Sequence, residues 1–188
     1  MGDVVDFLEM RKAVLSRGKT FNELLKDAVE IGETSLGRVK MGIFEPEADV
    51  KTLFVSMITA LLLREKQIDD ELFRCALYAG GVFEKLVFSV PESYFVCDYY
   101  FKGWEEGRPL FFRKGADLCY VICVLFDQFA QRRSMRRDDY VRMGTQLYYL
   151  YYQQTSESIG WCMSNNFKGI VDVARRSFEN FKRGGVCQ

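Results

Sequence analysis

Three prolines in 188 residues, at positions 46, 91 and 109, leave long stretches of chain free to coil. Proline removes a backbone donor and breaks helices and central strands alike. A turn-rich sandwich or barrel needs far more punctuation than this. Hydrophobic residues make up 48% and charged residues 28%, the balance of an ordinary globular domain. The expectation is an all-α, single-domain multi-helix bundle of about seven or eight helices over 1–188.

Helix signals recur along the chain. Asp3 can cap a helix over Val4–Ser16, and Thr20 with Glu23 forms a capping box before Phe21–Ile31. Residues 32–46 form an internal linker, with glycines at 32, 37 and 42, closed by Pro46; short extended structure fits 38–44. A third helix runs from Pro46 to about Lys66. It contains the most apolar run, Leu53–Leu63, which at helical rise spans only about half a bilayer core and reads as buried rather than membrane-spanning. Asp69 or Asp70 caps a fourth helix carrying Leu72, Phe73, Ala76, Ala79 and Phe83, with Gly80 and Gly81 allowing a close crossing or a kink. Residues 92–112 are ambiguous. Their aromatic and β-branched content fits a small β-hairpin near 94–113, pairing 94–101 with 109–113, or equally a short amphipathic helix. Further helices are expected over Gly115–Gln131 and Tyr140–Gln154. A separate turn runs from Ser156 to Met163, and a last helix is capped by Asn165 or Asn166. Residues 184–188 read as a frayed tail.

Histidine is absent, so serine–histidine catalysis is excluded and the commonest metal ligand is missing. No glycine-rich phosphate loop and no nucleophile elbow occurs. Asp98, Asp117 and Asp127 stand among apolar neighbours, but no spacing makes two carboxylates converge; Asp117 fits a helix entry. No catalytic residue, metal site or cofactor is assigned, and the expected role is non-enzymatic.

The cysteines stand at 75, 97, 119, 123, 162 and 187, with no C-x-x-C pair. Together with an N-terminus lacking an apolar leader core, this reads as reduced thiols in a cytoplasmic protein. Cys119 and Cys123, at i,i+4 in an apolar run, read as buried and inert. Residues 1–94 carry 12 basic and 16 acidic groups, and residues 95–188 carry 14 and 10. That asymmetry is too small for a dedicated nucleic-acid binder.

The chain spends its sequence on rings: 16 Phe, 10 Tyr and 2 Trp. Tyr148, Tyr149, Tyr151 and Tyr152 cover more than half the circumference of one predicted helix, which also carries Tyr140. Such a helix lies between packed layers with its hydroxyls at the rim, or lends rings to a pocket or partner face. Arg132, Arg133, Arg136 and Arg137 form a basic corner, partly neutralised by Asp138 and Asp139. The expected binding set is Tyr99, Tyr100, Trp104, Tyr148, Tyr149, Tyr152, Arg136 and Arg137. The expected partner is a protein or a second copy of the chain. The alternative is an apolar or aromatic small molecule in a tyrosine-lined pocket with Arg136 or Arg137 at its mouth.

Overall fold

A computed structural model describes residues 46–65, 69–88, 90–126 and 135–182. These form six helices: α1 Pro46–Arg64, α2 Asp70–Phe88, α3 Val96–Glu105, α4 Leu110–Leu125, α5 Arg137–Thr155 and α6 Ser158–Lys182. The described residues are all-α and contain no strand. The helices expected over 4–16 and 21–31, the linker before Pro46, the tail at 184–188, Asp127, Arg132 and Arg133 lie outside the described residues. The expected seven or eight helices are not met; six are present among the described residues.

α1 opens at Pro46, where the missing N–H is no loss because first-turn donors have no intrahelical acceptor. Its apolar run buries Val55, Ile58, Leu61 and Leu62. No described helix is long and apolar enough to cross a membrane. α2 is capped as its sequence indicates: the Leu72 N–H donates to Asp69 Oδ1 at 2.8 Å. Gly80 resolves to a close crossing. A Cβ there would overlap Val55 and lie 3.0 Å from the Val55 backbone nitrogen, so only glycine lets α2 approach α1 this closely.

The hairpin near 94–113 does not form. Val96, Tyr99 and Gly103 recur at i, i+3 and i+7 and put one buried helical stripe against α4. Packing along that stripe outweighs the strand preference of the aromatic run. Gly103 takes the ring of Phe112 against its backbone, at a distance where a Cβ would stand 2.5 Å from Phe112 Cε1. Gly107, at φ 60, turns the chain in the left-handed region into Pro109 and α4. α4 therefore starts at Leu110, five residues ahead of the expected Gly115.

α5 begins at Arg137, not Tyr140, and Asp139 reaches back from its first turn to accept the Arg136 N–H at 2.9 Å. At its other end Ser156 adopts φ 57, and two residues suffice to enter α6. The expected break before Asn165 is absent. Asn166 instead donates to the Cys162 carbonyl at 3.0 Å, one turn back, and stays inside a continuous helix. Gly160 lets α6 lie against α5, with the Tyr148 carbonyl 3.0 Å from where a Cβ would be.

The core gathers around α4 and α6. α4 packs on α3, α5 and α6, and α6 also packs on α1 and α2. α4 is buried on almost every side, from Phe111 and Phe112 through Leu118–Val124. Tyr120 tilts against Phe83 at 5.0 Å between ring centroids and meets Phe167 edge-on at 6.4 Å. Cys119 and Cys123 are buried as expected, and burial, then Cys123 and Asp117, push the Cys119 thiol well above its ordinary pKa. The expectation that all cysteines stay reduced is corrected: Cys75 of α2 and Cys162 of α6 form a disulfide. Sequence spacing gave no hint of it because the two residues are 87 positions apart.

Candidate functional site

Two features stand out: a polar knot inside the bundle and an aromatic face outside it. The knot begins with Asp117, which does not cap α4 but lies in its second turn facing α2 and α5. Tyr78 and Tyr148 both donate their phenolic hydrogens to Asp117 Oδ1, each at 2.6 Å. Burial pushes the Asp117 carboxyl up, while Tyr148, Tyr78 and then the cations Arg113 and Lys85 pull it down; burial prevails. Burial followed by the Asp117 charge pushes the phenols of Tyr78 and Tyr148 well above their ordinary value. One turn along α4, Arg113 donates to the Tyr151 hydroxyl at 3.2 Å, lies over the Tyr151 ring at 5.4 Å, and stands 3.9 Å from Glu157. Burial works against the Arg113 charge, but Tyr78, Tyr151 and Asp117 outweigh it and raise its pKa.

The knot therefore joins α2, α4 and α5, and its phenols are satisfied inside the molecule. Tyr148 is fully buried and Tyr151 nearly so, which removes Tyr148 from the expected partner face. The reason is tertiary: a half-buried carboxylate on another helix, Asp117, supplies the acceptor that its hydroxyl needs. Tyr99 is also buried rather than presented, its hydroxyl donating to the Ser93 carbonyl and accepting the Ser93 N–H, both at 3.1 Å.

The rest of the expected set does not assemble into one site. Tyr149 is exposed and Tyr152 half-buried against Trp161, with ring centroids 5.4 Å apart. Arg136 is exposed, and Arg137 forms an ion pair with Asp172 of α6 at 3.4 Å. The arginines open α5 and the tyrosines close it, roughly 16–24 Å apart along the axis. The arrangement of a tyrosine-lined pocket with an arginine mouth is not brought together.

Tyr100 and Trp104 are exposed. Cys97, Tyr100, Phe101 and Trp104 recur at i, i+3, i+4 and i+7 and form a second stripe on α3, about 120° around the helix from the buried one. Tyr100 is 41% exposed, Phe101 56% and Trp104 52%, and Tyr94 just before the helix is 59% exposed. Tyr100 meets Phe101 edge-on at 5.6 Å and Trp104 at 6.4 Å, so the rings brace one another. Trp104 also rests edge-on against the buried ring of Phe112 at 5.4 Å. Charges near α3 pair locally, Glu92 with Lys102 and Lys114 and Glu106 with Arg108, and their cations gather over the Phe111 ring rather than around this stripe. Tyr94, Cys97 and Phe101 fall within the expected aromatic surface over 94–104 but outside the expected binding set; the helical period shows Cys97 and Phe101 only once 96–105 is known to be a helix.

Among the described residues, no three histidine, cysteine, aspartate or glutamate side chains are grouped to hold a metal ion. The chain matches no protein-family model, no curated protein and no solved structure.

Proposed function

We propose that this chain is a non-enzymatic helical module that pairs with a second copy of itself through the outward face of α3. The observation carrying this reading is the doubly apolar character of that helix: one stripe is buried on α4, and a second stripe, Tyr100, Phe101 and Trp104, stands largely in water. A helix at the edge of a monomer normally turns polar residues outward.

The size of the face favours a partner. Tyr100, Phe101 and Trp104 together leave on the order of 300 Å² of largely apolar surface exposed in one patch, a size that on a monomer is often a binding face. The charge pattern favours a second copy. The stripe itself, Cys97, Tyr100, Phe101 and Trp104, carries no charged side chain, so two copies of it meet without like-charge repulsion along the stripe. Aromatic rings braced by neighbours lose little side-chain freedom on contact, which is why they dominate binding energy at interfaces.

Sedimentation velocity or light scattering of the full chain tests this. The expected mass rises from 21.9 kDa toward twice that value with concentration. Phe101→Ser with Trp104→Ser is expected to return the chain to a monomer, whereas Tyr149→Ser, on another surface, leaves association unchanged. A monomer at every concentration up to several hundred micromolar overturns the reading.

A further inference from the structure

We propose that the Cys75–Cys162 pair is a redox-operated lock on the bundle, with both oxidation states built into the same fold. The two Cα atoms lie 6.5 Å apart, within the span a disulfide accepts, so oxidation requires no rearrangement of α2 or α6. The reduced state is provided for as well. Cys162 Sγ lies 3.1 Å from the backbone carbonyl oxygen of Glu71, an acceptor for its S–H once the bond to Cys75 is gone. Asn166, one turn further on, donates to Glu71 Oε1 at 3.2 Å and to the Cys162 carbonyl at 3.0 Å. The start of α6 thus stays docked on the start of α2 without the crosslink, but with less to hold it.

The chemistry is thiol–disulfide exchange with a dithiol. A dithiol thiolate attacks one sulfur of the pair, and the bond between Cys75 and Cys162 breaks. The departing cysteine thiolate takes a proton from solvent. The second thiolate of the dithiol then displaces the remaining cysteine, leaving two protein thiols and an oxidised cyclic disulfide. Two electrons pass from the dithiol to the protein, and a small disulfide such as oxidised glutathione drives the reverse. Cys75 is fully buried and Cys162 is 5% exposed, so exchange waits on local opening of α6 from α2. The lock is slow in the native protein and fast once denaturant loosens that contact.

The consequence is stability. The bond ties positions 87 apart, and closing so long a loop restrains the unfolded chain more than the folded one. The test uses the full chain with Cys97→Ser and Cys187→Ser, which removes the exposed thiol among the described residues and the thiol outside them, equilibrated with oxidised glutathione or with dithiothreitol. Thiols are counted by alkylation in denaturant and intact mass, and stability is read from urea unfolding. The oxidised form is expected to take two fewer alkyl groups, mapping to Cys75 and Cys162, and to unfold with an equilibrium constant lowered roughly 30- to 1,000-fold. Adding Cys75→Ala, or Cys162→Ala if the first does not fold, is expected to abolish the response to either reagent. An equal thiol count in both conditions overturns the proposal, as does equal stability despite a mapped crosslink.

Discussion

Tyr148 of α5 donates to Asp117 of α4 at 2.6 Å across 31 residues of sequence, and it shares that acceptor oxygen with Tyr78 of α2. Three helices thereby meet on one carboxylate. A carboxyl drawn partly out of water costs more without its donors than with them, so the two phenols are coupled through Asp117. Tyr148→Phe and Tyr78→Phe are each expected to cost about 1–3 kcal/mol in urea unfolding. The double variant leaves Asp117 without either phenol, and its cost is expected to differ from the sum by more than about 0.5 kcal/mol. Strict additivity would show that the shared oxygen does not couple them.

The same group gives stability a pH dependence of definite sign. Asp117 titrates higher in the fold than its ordinary value, so between those two values the native state holds a proton the unfolded state has lost. The Asp117 contribution is complete below about pH 4 and is lost as pH rises through the folded value. Asp117→Asn is expected to remove that slope from a plot of the urea midpoint against pH. An unchanged slope would assign it to other groups.

At high pH the phenols take over. Tyr78, Tyr120 and Tyr148 all titrate well above their ordinary value, chiefly through burial. Above about pH 10 the unfolded chain releases these protons while the folded chain keeps them, so stability falls as pH rises. Tyrosinate absorbance and circular dichroism measured together check this: the last tyrosines should ionise only as helicity is lost. Ionisation of all 10 tyrosines with native helicity intact is the contrary result.

Glycines divide into those that the packing needs and those it does not. A Cβ on Gly144 would overlap the ring of Phe167, which is fully buried, and would lie 3.1 Å from Cys119 Cβ. Gly144→Ala is expected to destabilise by about 1–3 kcal/mol. Gly169 sits in a helix with no atom within 4 Å of a Cβ, and Gly169→Ala is expected to stabilise by about 0.5–1 kcal/mol through helix propensity. Thermal melts of the two variants should move in opposite directions; a shared direction would mean the α4–α5–α6 contact is not as close as described.

The sequence by itself determined what is local. Scarce proline and 3.6-residue apolar periods imposed helices, Asp69 or Asp70 announced the start of α2, and the run at 118–126 read as core. These follow from backbone geometry and from the removal of apolar surface from water, both of which act over a few turns. Tertiary structure decided which rings are inside. Nothing near Tyr148 in sequence marks it apart from Tyr149, yet one finds a carboxylate and is buried while the other is 44% exposed. The 92–112 segment is the same case: its propensities allowed strand or helix, and the α4 surface chose helix, leaving Tyr100, Phe101 and Trp104 in water. The Cys75–Cys162 bond depends on α2 meeting α6, a juxtaposition that local chain preferences do not contain because it exists only once the bundle has closed.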